Sequence, residues 1–438
     1  MNESSSSILE RFRRSFGKDV DLTLRQPYHD LLAKLGNPQL KLPPVIHVAG
    51  TNGKGSTCAF LRAMVEAAGY RAHVYTSPHL VTFHERIRVA GQLVSEDELA
   101  GILHECEQLA EPGSVSFFEA ATAAAFVAFA HHPADVTILE VGLGGRLDAT
   151  NVIPQPVATV ISRLSFDHRD YLGDTMAAIA REKAGIMRPR TPCFAAFQPS
   201  PEASGALQQA AQELDAPLFL GGRDWRVEAR GKESFVFTGP QRTLELPMPA
   251  LAGRHQMENA GLALAASAAF PFSIPDEALR QAMLNVEWPA RLQRLKHGRL
   301  ASLLPAGWEL WLDGGHNDSA GEVLAAHMQE WRRQDGGQPR PLFIILGMLS
   351  TKVPCEFLAP LASNVEACRT VTIEKEPLSL TADELAALAG EAGISASAPA
   401  ASLAEGIAAL IQPGVPAGRI LICGSLYLAG QALKKNQS

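Results

Sequence analysis

A glycine-rich segment with one lysine, residues 50–56 (GTNGKGS), is the strongest chemical signal in the sequence. An apolar run at 45–49 precedes it and a helical pattern at 56–68 follows it. Glycines let backbone N–H groups approach oxygens without a Cβ clash, and a helix N-terminus attracts negative charge. Lys54 adds a cation that can reach the β- and γ-phosphates of a nucleotide. A glycine-rich turn without function is the alternative to a phosphate-binding loop made by Asn52, Gly53, Lys54, Gly55 and Ser56.

A carboxylate, Glu140, stands near the end of an apolar run at 136–141 that is typical of a strand buried on both faces. Ligands of open α/β sheets bind at the carboxyl ends of the strands. A buried carboxylate needs a charge partner, and Mg²⁺ that bridges nucleotide phosphates would be one. An ion pair with Arg146 or Arg181 is the alternative.

The elements that must position these residues alternate between apolar strand-like runs and helical patterns, which favours α/β layers with parallel sheets. We predict an N-terminal P-loop ATPase-like domain with a parallel sheet over residues 1–293, and a smaller Rossmann-like α/β domain over 294–438. Two edge strands are expected at 225–228 and 234–238. Further strands are predicted at 45–49, 71–75, 136–141, 157–161, 308–312, 342–346 and 419–423, and helices at 56–68, 319–333 and 403–411.

Composition limits the class of protein. The 438 residues are 46% hydrophobic and carry a net charge of −7 without a dense Lys/Arg block, which argues against a nucleic-acid partner. The longest apolar stretches, 120–130 and 260–270, are too short to span a bilayer. Six cysteines without a CxxC pair and a polar N-terminus favour reduced thiols in the cytoplasm. Because no apolar stripe is left unassigned, we expect a monomer.

The wording of the phosphate loop departs from the common GxxxxGK[ST] pattern, because Gly55 separates Lys54 from Ser56. GTNGKGS resembles the loop of the Mur-ligase superfamily, and the glycine after the lysine resembles its folylpolyglutamate synthase branch. Eight further segments are similar to landmarks of that family, in its order and over nearly the whole chain. They are 75–79 (YTSPH), 85–88 (ERIR), 139–152 (LEVGLGGRLDATNV), 167–168 (DH), 181–186 (REKAGI), 288–291 (WPAR), 313–317 (DGGHN) and 424–427 (GSLY).

This resemblance to bifunctional dihydrofolate synthase/folylpolyglutamate synthases implies an ATP- and Mg²⁺-dependent ligase. Such an enzyme adds L-glutamate to 7,8-dihydropteroate and to (tetrahydro)folate glutamates through an acyl phosphate. The sequence RLDA at 146–149 is similar to that of the family members that accept dihydropteroate. Three alternatives stay open: a folylpolyglutamate synthase only, another Mur-type amino-acid ligase, and a P-loop protein that uses ATP as a conformational switch.

The resemblance also assigns a metal set of Ser77, Glu140 and His168. Without it, His168 would be interpreted as a hydrogen-bonding histidine, because Mg²⁺ prefers oxygen. It further implies that Lys183 is carbamylated and supports a second Mg²⁺, whereas a surface lysine is the ordinary interpretation. Lys54, Lys183 and His168 are the predicted catalytic residues.

Other predicted contacts follow from the same resemblance. Asn259, Arg291 and Asp313 are expected to contact ATP, while His316 and Asn317 are either ligand contacts or turn residues. At 350–353 the sequence STKV departs from the Asp-Lys-Asp wording that is usual there. The predicted pterin-binding residues are Asp19, Val20, Asp21, Leu22, Ser116, Phe117, Phe118, Glu119, Leu147, Asp148 and Ala149; the alternative for the two phenylalanines is an ordinary core position.

Overall fold

The computed structural model describes residues 4–16, 26–240 and 242–437, and its chain forms two compact units. The first consists of Met1–Ala250 and Gln256–Val286, and the second of Leu251–His255 and Glu287–Ser438. The domain boundary that we predicted after residue 293 stays a prediction. Four predicted pterin contacts, Asp19 to Leu22, lie outside the described residues.

A mostly parallel sheet forms the centre of the first unit. Along the sheet the strands described here lie in the order β4-β3-β2-β5-β1-β6-β7-β8, and only the pairs β2–β3 and β3–β4 are antiparallel. Helices cover both faces, so the central strands are buried throughout, as their continuous apolar runs predict. The strands are β1 Val45–Ala49, β2 Ala72–Tyr75, β3 Ile87–Val89, β4 Gln92–Leu93, β5 Val136–Glu140, β6 Ala158–Ile161, β7 Cys193–Ala195 and β8 Leu218–Leu220.

The helices of the first unit enclose this sheet and build its core. One layer joins residues of α1, α2, α4 and α5, and another joins α7 and α8 with the strands beside them. No helix in the described part of the chain is long and apolar enough to cross a membrane. The helices are α1 Ser5–Phe16, α2 Gln26–Lys34, α3 Lys54–Ala67, α4 Glu96–Leu109, α5 Phe117–His131, α6 Arg169–Leu172, α7 Met176–Ala184, α8 Pro201–Glu213, α9 Arg254–Ala266 and α10 Asp276–Asn285.

A small antiparallel sheet follows α8 in the chain. Its strands are β9 Arg226–Arg230, β10 Ser234–Thr238 and β11 Thr243–Pro247, with β10 in the middle. Alternate residues of β10 and β11 are buried, as expected for a sheet with one solvated face. The predicted bounds of β10 are confirmed, but its predicted position as an edge strand is wrong, because β10 pairs with β9 on one side and β11 on the other. The edge strand β9 begins one residue later than predicted and ends at Arg230.

The second unit is a separate α/β layer structure. Its described strands lie in the order β12-β13-β17-β14-β15-β16, and only β12 and β13 pair antiparallel. The predicted α/β fold class is confirmed. The strands are β12 Gln293–Leu295, β13 Glu309–Leu312, β14 Leu342–Leu346, β15 Ala367–Thr370, β16 Ser397–Pro399 and β17 Arg419–Cys423, and the helices are α11 Asp318–Asp335, α12 Pro354–Leu358, α13 Ala382–Glu391, α14 Leu403–Leu410 and α15 Leu426–Gln437.

Five short 3-10 helices complete the regular structure of the described residues: Pro38–Leu40, Phe83–Arg86, Ser267–Ala269, Ala301–Leu303 and Ala362–Asn364.

Candidate functional site

The glycine-rich loop runs from the end of β1 into α3, as predicted. Gly50 has φ 143° and Gly53 has φ 90°, and both conformations favour glycine. A Cβ on Gly50 would collide with the Ser162 side chain, so this position requires glycine sterically as well. The backbone N–H groups of Thr51 and Asn52 both donate to the Arg163 carbonyl at 3.1 Å. The loop is therefore fixed by the segment that follows β6.

Two lysines converge on this loop. Lys54 Nζ donates to the carbonyl oxygens of Gly50 at 3.1 Å and Thr51 at 3.3 Å. Lys183, on α7, donates to the same Gly50 oxygen at 3.0 Å and is only 4% exposed. Burial, and then the charge of Lys54, lower the pKa of Lys183 to about 7. The ordinary interpretation of Lys183 as a surface lysine is therefore wrong.

The first turn of α3 carries a buried hydroxyl with no protein partner. Gly55 and Ser56 are both buried, and Ser56 Oγ has no hydrogen-bond partner among the described residues. A buried polar atom without a partner costs free energy and calls for an explanation. A ligand oxygen or a cation at the loop would satisfy this hydroxyl.

Glu140 and Ser77 lie at the carboxyl edge of the sheet. Glu140 ends β5, is 3% exposed and accepts a hydrogen bond from the Ser77 backbone N–H at 3.2 Å. Ser77 follows β2, the neighbour of β5, so parallel pairing brings the two residues together. His168 precedes α6 with φ 51°, and its half-exposed ring lies 3.8 Å from Asp167 Oδ1.

The side chains at this edge of the sheet suit a divalent cation only if a bound nucleotide supplies further ligands. Within residues 4–16, 26–240 and 242–437, no three histidine, cysteine, aspartate or glutamate side chains are grouped to hold a metal. Glu140 and the hydroxyl of Ser77 are oxygen donors of the kind that Mg²⁺ prefers, and nucleotide phosphates supply its remaining ligands in such sites. The donor set fits phosphate-bound Mg²⁺ and not a cage made by protein alone.

Asn259 approaches the phosphate loop from α9. A Cβ on Gly53 would collide with Asn259 Oδ1, which shows how closely the two elements pack. Asn259 Nδ2 donates to Gln256 Oε1 at 3.1 Å, and Gln256 is fully buried. Gln256 therefore orients the amide of Asn259, a role that the sequence analysis missed. The spacing of three residues on one helix is the signal that could have revealed the pair.

Two of the predicted pterin residues have a structural task in the chain. Ser116 and Glu119 form a capping box at the start of α5, with Glu119 N donating to Ser116 Oγ at 3.2 Å and Ser116 N to Glu119 Oε2 at 2.8 Å. The S-x-x-E pattern is the sequence signature of such a capping box. Their predicted substrate contacts stay predictions.

Phe117 and Phe118 are half-buried and pack differently. Phe117 meets the Phe83 ring edge-on, with 5.9 Å between the ring centroids. Phe118 lies 6.1 Å from the Tyr75 ring and covers Gly142, where a Cβ would collide with it. Both rings therefore combine core contacts with some accessible surface.

The segment Leu147 to Ala149 lies in a tightly bonded loop. Asp148 is 3% exposed, and its carboxylate accepts from the backbone N–H groups of Gly142 at 3.0 Å and Leu143 at 2.9 Å. The Tyr28 hydroxyl donates to the Ala149 carbonyl at 3.1 Å. Leu147 keeps more of its surface exposed than Asp148 and Ala149. Direct pterin contacts by these residues stay predictions.

The second unit holds the other predicted nucleotide contacts. Asp313 is buried after β13 and accepts from the backbone N–H groups of Leu292 at 2.8 Å and Gly315 at 2.7 Å. Burial raises the pKa of Asp313, and the charge of Arg291 opposes this shift. His316 bonds to the Gly314 carbonyl at 2.9 Å, while Asn317 caps α11 through the Ala320 N–H at 2.9 Å.

Comparison with known proteins identifies the family of this chain. Residues 48–267 match the model of the Mur ligase middle domain. Over 98% of its length the chain is 34% identical to the dihydrofolate synthase/folylpolyglutamate synthase of Escherichia coli strain K12, and the match covers 94% of that protein. The chain belongs to this Mur ligase family. The resemblance predicted from the sequence is confirmed.

A second relative and two solved structures are also similar to this Mur ligase. The Bacillus subtilis dihydrofolate synthase/folylpolyglutamate synthase is 38% identical over 68% of this chain and 70% of its own. E. coli FolC in complex with DHPP and ADP has a TM-score of 0.86 and 32% identity, covering 99% of this chain and 97% of its own. The bifunctional enzyme of Yersinia pestis, complexed with AMPPNP and Mn ion, has a TM-score of 0.85 and 28% identity, with 99% and 98% covered. The prediction that this Mur ligase is an enzyme of the ligase class is confirmed.

Proposed function

We propose that this Mur ligase uses ATP to join L-glutamate to 7,8-dihydropteroate and, in later cycles, to (tetrahydro)folate glutamates. The observation that carries the proposal is the convergence of Lys54 and Lys183 on the Gly50 carbonyl of the phosphate loop. The charge of Lys54 at a glycine-rich helix N-terminus suits a triphosphate, and Lys183 lies at the same carbonyl oxygen. The names and bound ligands of the relatives support the choice of substrates.

The reaction must activate a carboxylate that is unreactive at neutral pH. A carboxylate oxygen attacks the γ-phosphorus of ATP, the bond to the β-phosphate oxygen breaks, and ADP leaves with the electron pair. The glutamate α-amine then attacks the acyl carbon, inorganic phosphate leaves, and the amine loses a proton. Such transfers depend on positioning and on neutralising charge at the phosphoryl oxygens.

The residues of the first unit divide this work. Lys54 and the N–H groups at the start of α3 bind the phosphates, and Asn259 contacts the nucleotide beside Gly53. Glu140, Ser77 and His168 would hold Mg²⁺, which supplies charge neutralisation when bound. In the second unit, Arg291 and Asp313 are proposed to contact ATP, because an arginine fork suits a phosphate and a carboxylate can accept from a ribose.

Lys183 is proposed to be carbamylated. Only the neutral amine can attack CO₂, and a pKa of about 7 leaves much of this amine neutral at physiological pH. The product is an anion in the place of a cation. A ¹³C-bicarbonate label should give a carbamate signal that Lys183→Arg abolishes, and its presence in the variant would reject the assignment.

Acceptance of dihydropteroate rests on the loop at 142–151. Residues 19–22 are proposed, on the sequence alone, to contribute four further contacts to that site. We further propose a monomer in the cytoplasm. ATP is supplied there, and all six cysteines are free thiols.

The decisive assay measures ADP release with Mg²⁺-ATP and L-glutamate, with dihydropteroate in one reaction and tetrahydrofolate in another. We expect turnover in both, and a product heavier by one glutamyl unit in each. Turnover with tetrahydrofolate alone would leave an elongating enzyme and reject the dihydropteroate step.

Omission of glutamate is the matched control. A ligase needs glutamate for product formation, whereas a protein that uses ATP as a switch does not. ADP release that is independent of glutamate, without an amide product, would reject the ligase proposal. Lys54→Ala should reduce product formation by about 100-fold or more, because it removes a fixed charge from the phosphates.

A further inference from the structure

A buried polar chain connects β1 with the loop at 142–151. His47, in the middle of β1, is 1% exposed, and its Nε2 lies 2.8 Å from Thr150 Oγ1. Thr150 is fully buried, and its hydroxyl donates to Asp148 Oδ1 at 2.5 Å. The threonine oxygen therefore accepts from His47 and donates to Asp148, which fixes the direction of both hydrogen bonds.

The carboxylate at the end of this chain has no acceptor site to spare. Oδ1 of Asp148 accepts from the Thr150 hydroxyl and from the Thr150 N–H at 2.9 Å, while Oδ2 accepts from Gly142 and Leu143. An ionised carboxylate offers about four acceptor positions. Asp148 therefore stabilises the conformation of its own loop. Loss of one donor would change the other three hydrogen bonds to this carboxylate.

The histidine in this chain is neutral. Burial, and then the charge of Arg188, lower the pKa of His47 to about 3. Its Nε2 must carry the single ring proton, because the Thr150 hydroxyl already donates its hydrogen bond to Asp148 and can only accept from His47. His47 thus acts as a fixed donor whose bond does not change with pH in the physiological range.

We propose that His47 is a positioning residue for the pterin, acting through Thr150 to hold the loop at Gly142–Thr150 in its binding shape. The inference rests on the proposed function, in which acceptance of dihydropteroate depends on the loop at 142–151. His47 touches no substrate. Its effect appears in the affinity for the pterin and not in phosphoryl transfer.

The test compares His47→Leu, His47→Gln and Thr150→Val with the wild-type protein. Equilibrium binding of dihydropteroate in the presence of ADP is measured together with KM for dihydropteroate and for ATP. His47→Leu and Thr150→Val should weaken pterin binding and raise its KM by about tenfold, and leave the KM for ATP within about twofold. His47→Gln should stay within about threefold of wild type, because its amide Nε2 can replace the imidazole donor.

His73→Leu is the matched control. His73 is a fully buried histidine on β2, but its ring accepts from the Ala90 N–H at 3.0 Å and bonds to the His132 carbonyl at 3.0 Å. Its loss should lower Tm and leave pterin affinity unchanged. A purely structural role of His47 would lower Tm and the active fraction in the same way, without the selective loss of pterin affinity.

The outcomes separate this inference from the proposed function. Equal dihydropteroate affinity in wild type, His47→Leu and Thr150→Val would overturn the role of His47 and leave the ligase intact. A wild-type protein that neither binds nor uses dihydropteroate would overturn both. Thr150→Val removes the acceptor of His47 with little change in volume, so an unchanged dihydropteroate affinity in this variant would overturn the role of His47 even if His47→Leu fails to fold.

Discussion

Lys54 and Lys183 donate to one acceptor, the carbonyl oxygen of Gly50, with N···O distances of 3.1 and 3.0 Å. Lys183 is buried, and the charge of Lys54 lies close to it; both effects disfavour the protonated amine, burial more strongly. Its pKa is accordingly lowered to about 7. An anionic ligand at the loop, or a carbamate on Lys183, would therefore reduce the charge repulsion between the two amines.

Lys183→Met should raise stability in a pH-dependent way. The folded pKa of Lys183, about 7, lies below its ordinary value of 10.5, so the unfolded chain binds more protons between these values. Wild-type stability therefore rises with pH through that window, and the advantage of methionine is largest below about pH 7 and disappears by about pH 10.5. Tm values of ligand-free protein in CO₂-free buffer, in which Lys183 is a free amine, from about pH 6 to about pH 10 test this. A constant difference across the range would contradict it.

Glu140→Gln should weaken the response to Mg²⁺ without damage to the fold. Glutamine keeps an oxygen for the Ser77 N–H but removes the negative charge. We expect the Mg²⁺ concentration for half-maximal activity to rise about tenfold and kcat to fall by about 100-fold. The measurement is a Mg²⁺ titration of ADP release.

Asp135→Asn is the control for this prediction, because Asp135 precedes the amino end of the same strand and accepts from the Arg71 N–H at 2.7 Å. It should leave the Mg²⁺ titration unchanged. An unchanged titration in Glu140→Gln would remove Glu140 from the metal set.

Gly142→Ala should displace Phe118. A Cβ at this position would meet three ring carbons of Phe118, and leucine in place of Phe118 lacks those atoms. We expect Gly142→Ala to cost about 1–3 kcal/mol of stability by overpacking, and much less in a Phe118→Leu background. Chemical denaturation of the two single variants and the double variant measures the coupling. Additive costs would show that the ring and the glycine are independent.

The sequence predicts strands well where an apolar run is long and bounded. The predictions at 342–346 and 419–423 coincide with β14 and β17 at both ends. The strand β15 has a weak sequence signal, because it is only four residues long and its alternation of buried and half-buried residues includes Arg369. The sequence also gives no clear signal for β12, a strand of only three residues that pairs with β13.

Site chemistry is less accessible from sequence, because it depends on distant partners. The local charges around Lys183 suggest a solvated helix face, and only the position of Gly50 shows that this side chain is buried. His47 and Thr150 meet across 103 positions of sequence, and no local pattern announces that contact. The capping box of Ser116 and Glu119, in contrast, was available from spacing alone.

The most direct test of the acyl-phosphate mechanism uses dihydropteroate with ¹⁸O at both carboxylate oxygens, together with Mg²⁺-ATP and L-glutamate. If the carboxylate attacks the γ-phosphorus, inorganic phosphate carries one ¹⁸O atom per turnover, and the product is heavier by one glutamyl unit. Mass spectrometry of both products reads this out. Unlabelled phosphate, with or without a glutamylated product, would contradict activation of the carboxylate as an acyl phosphate on this loop.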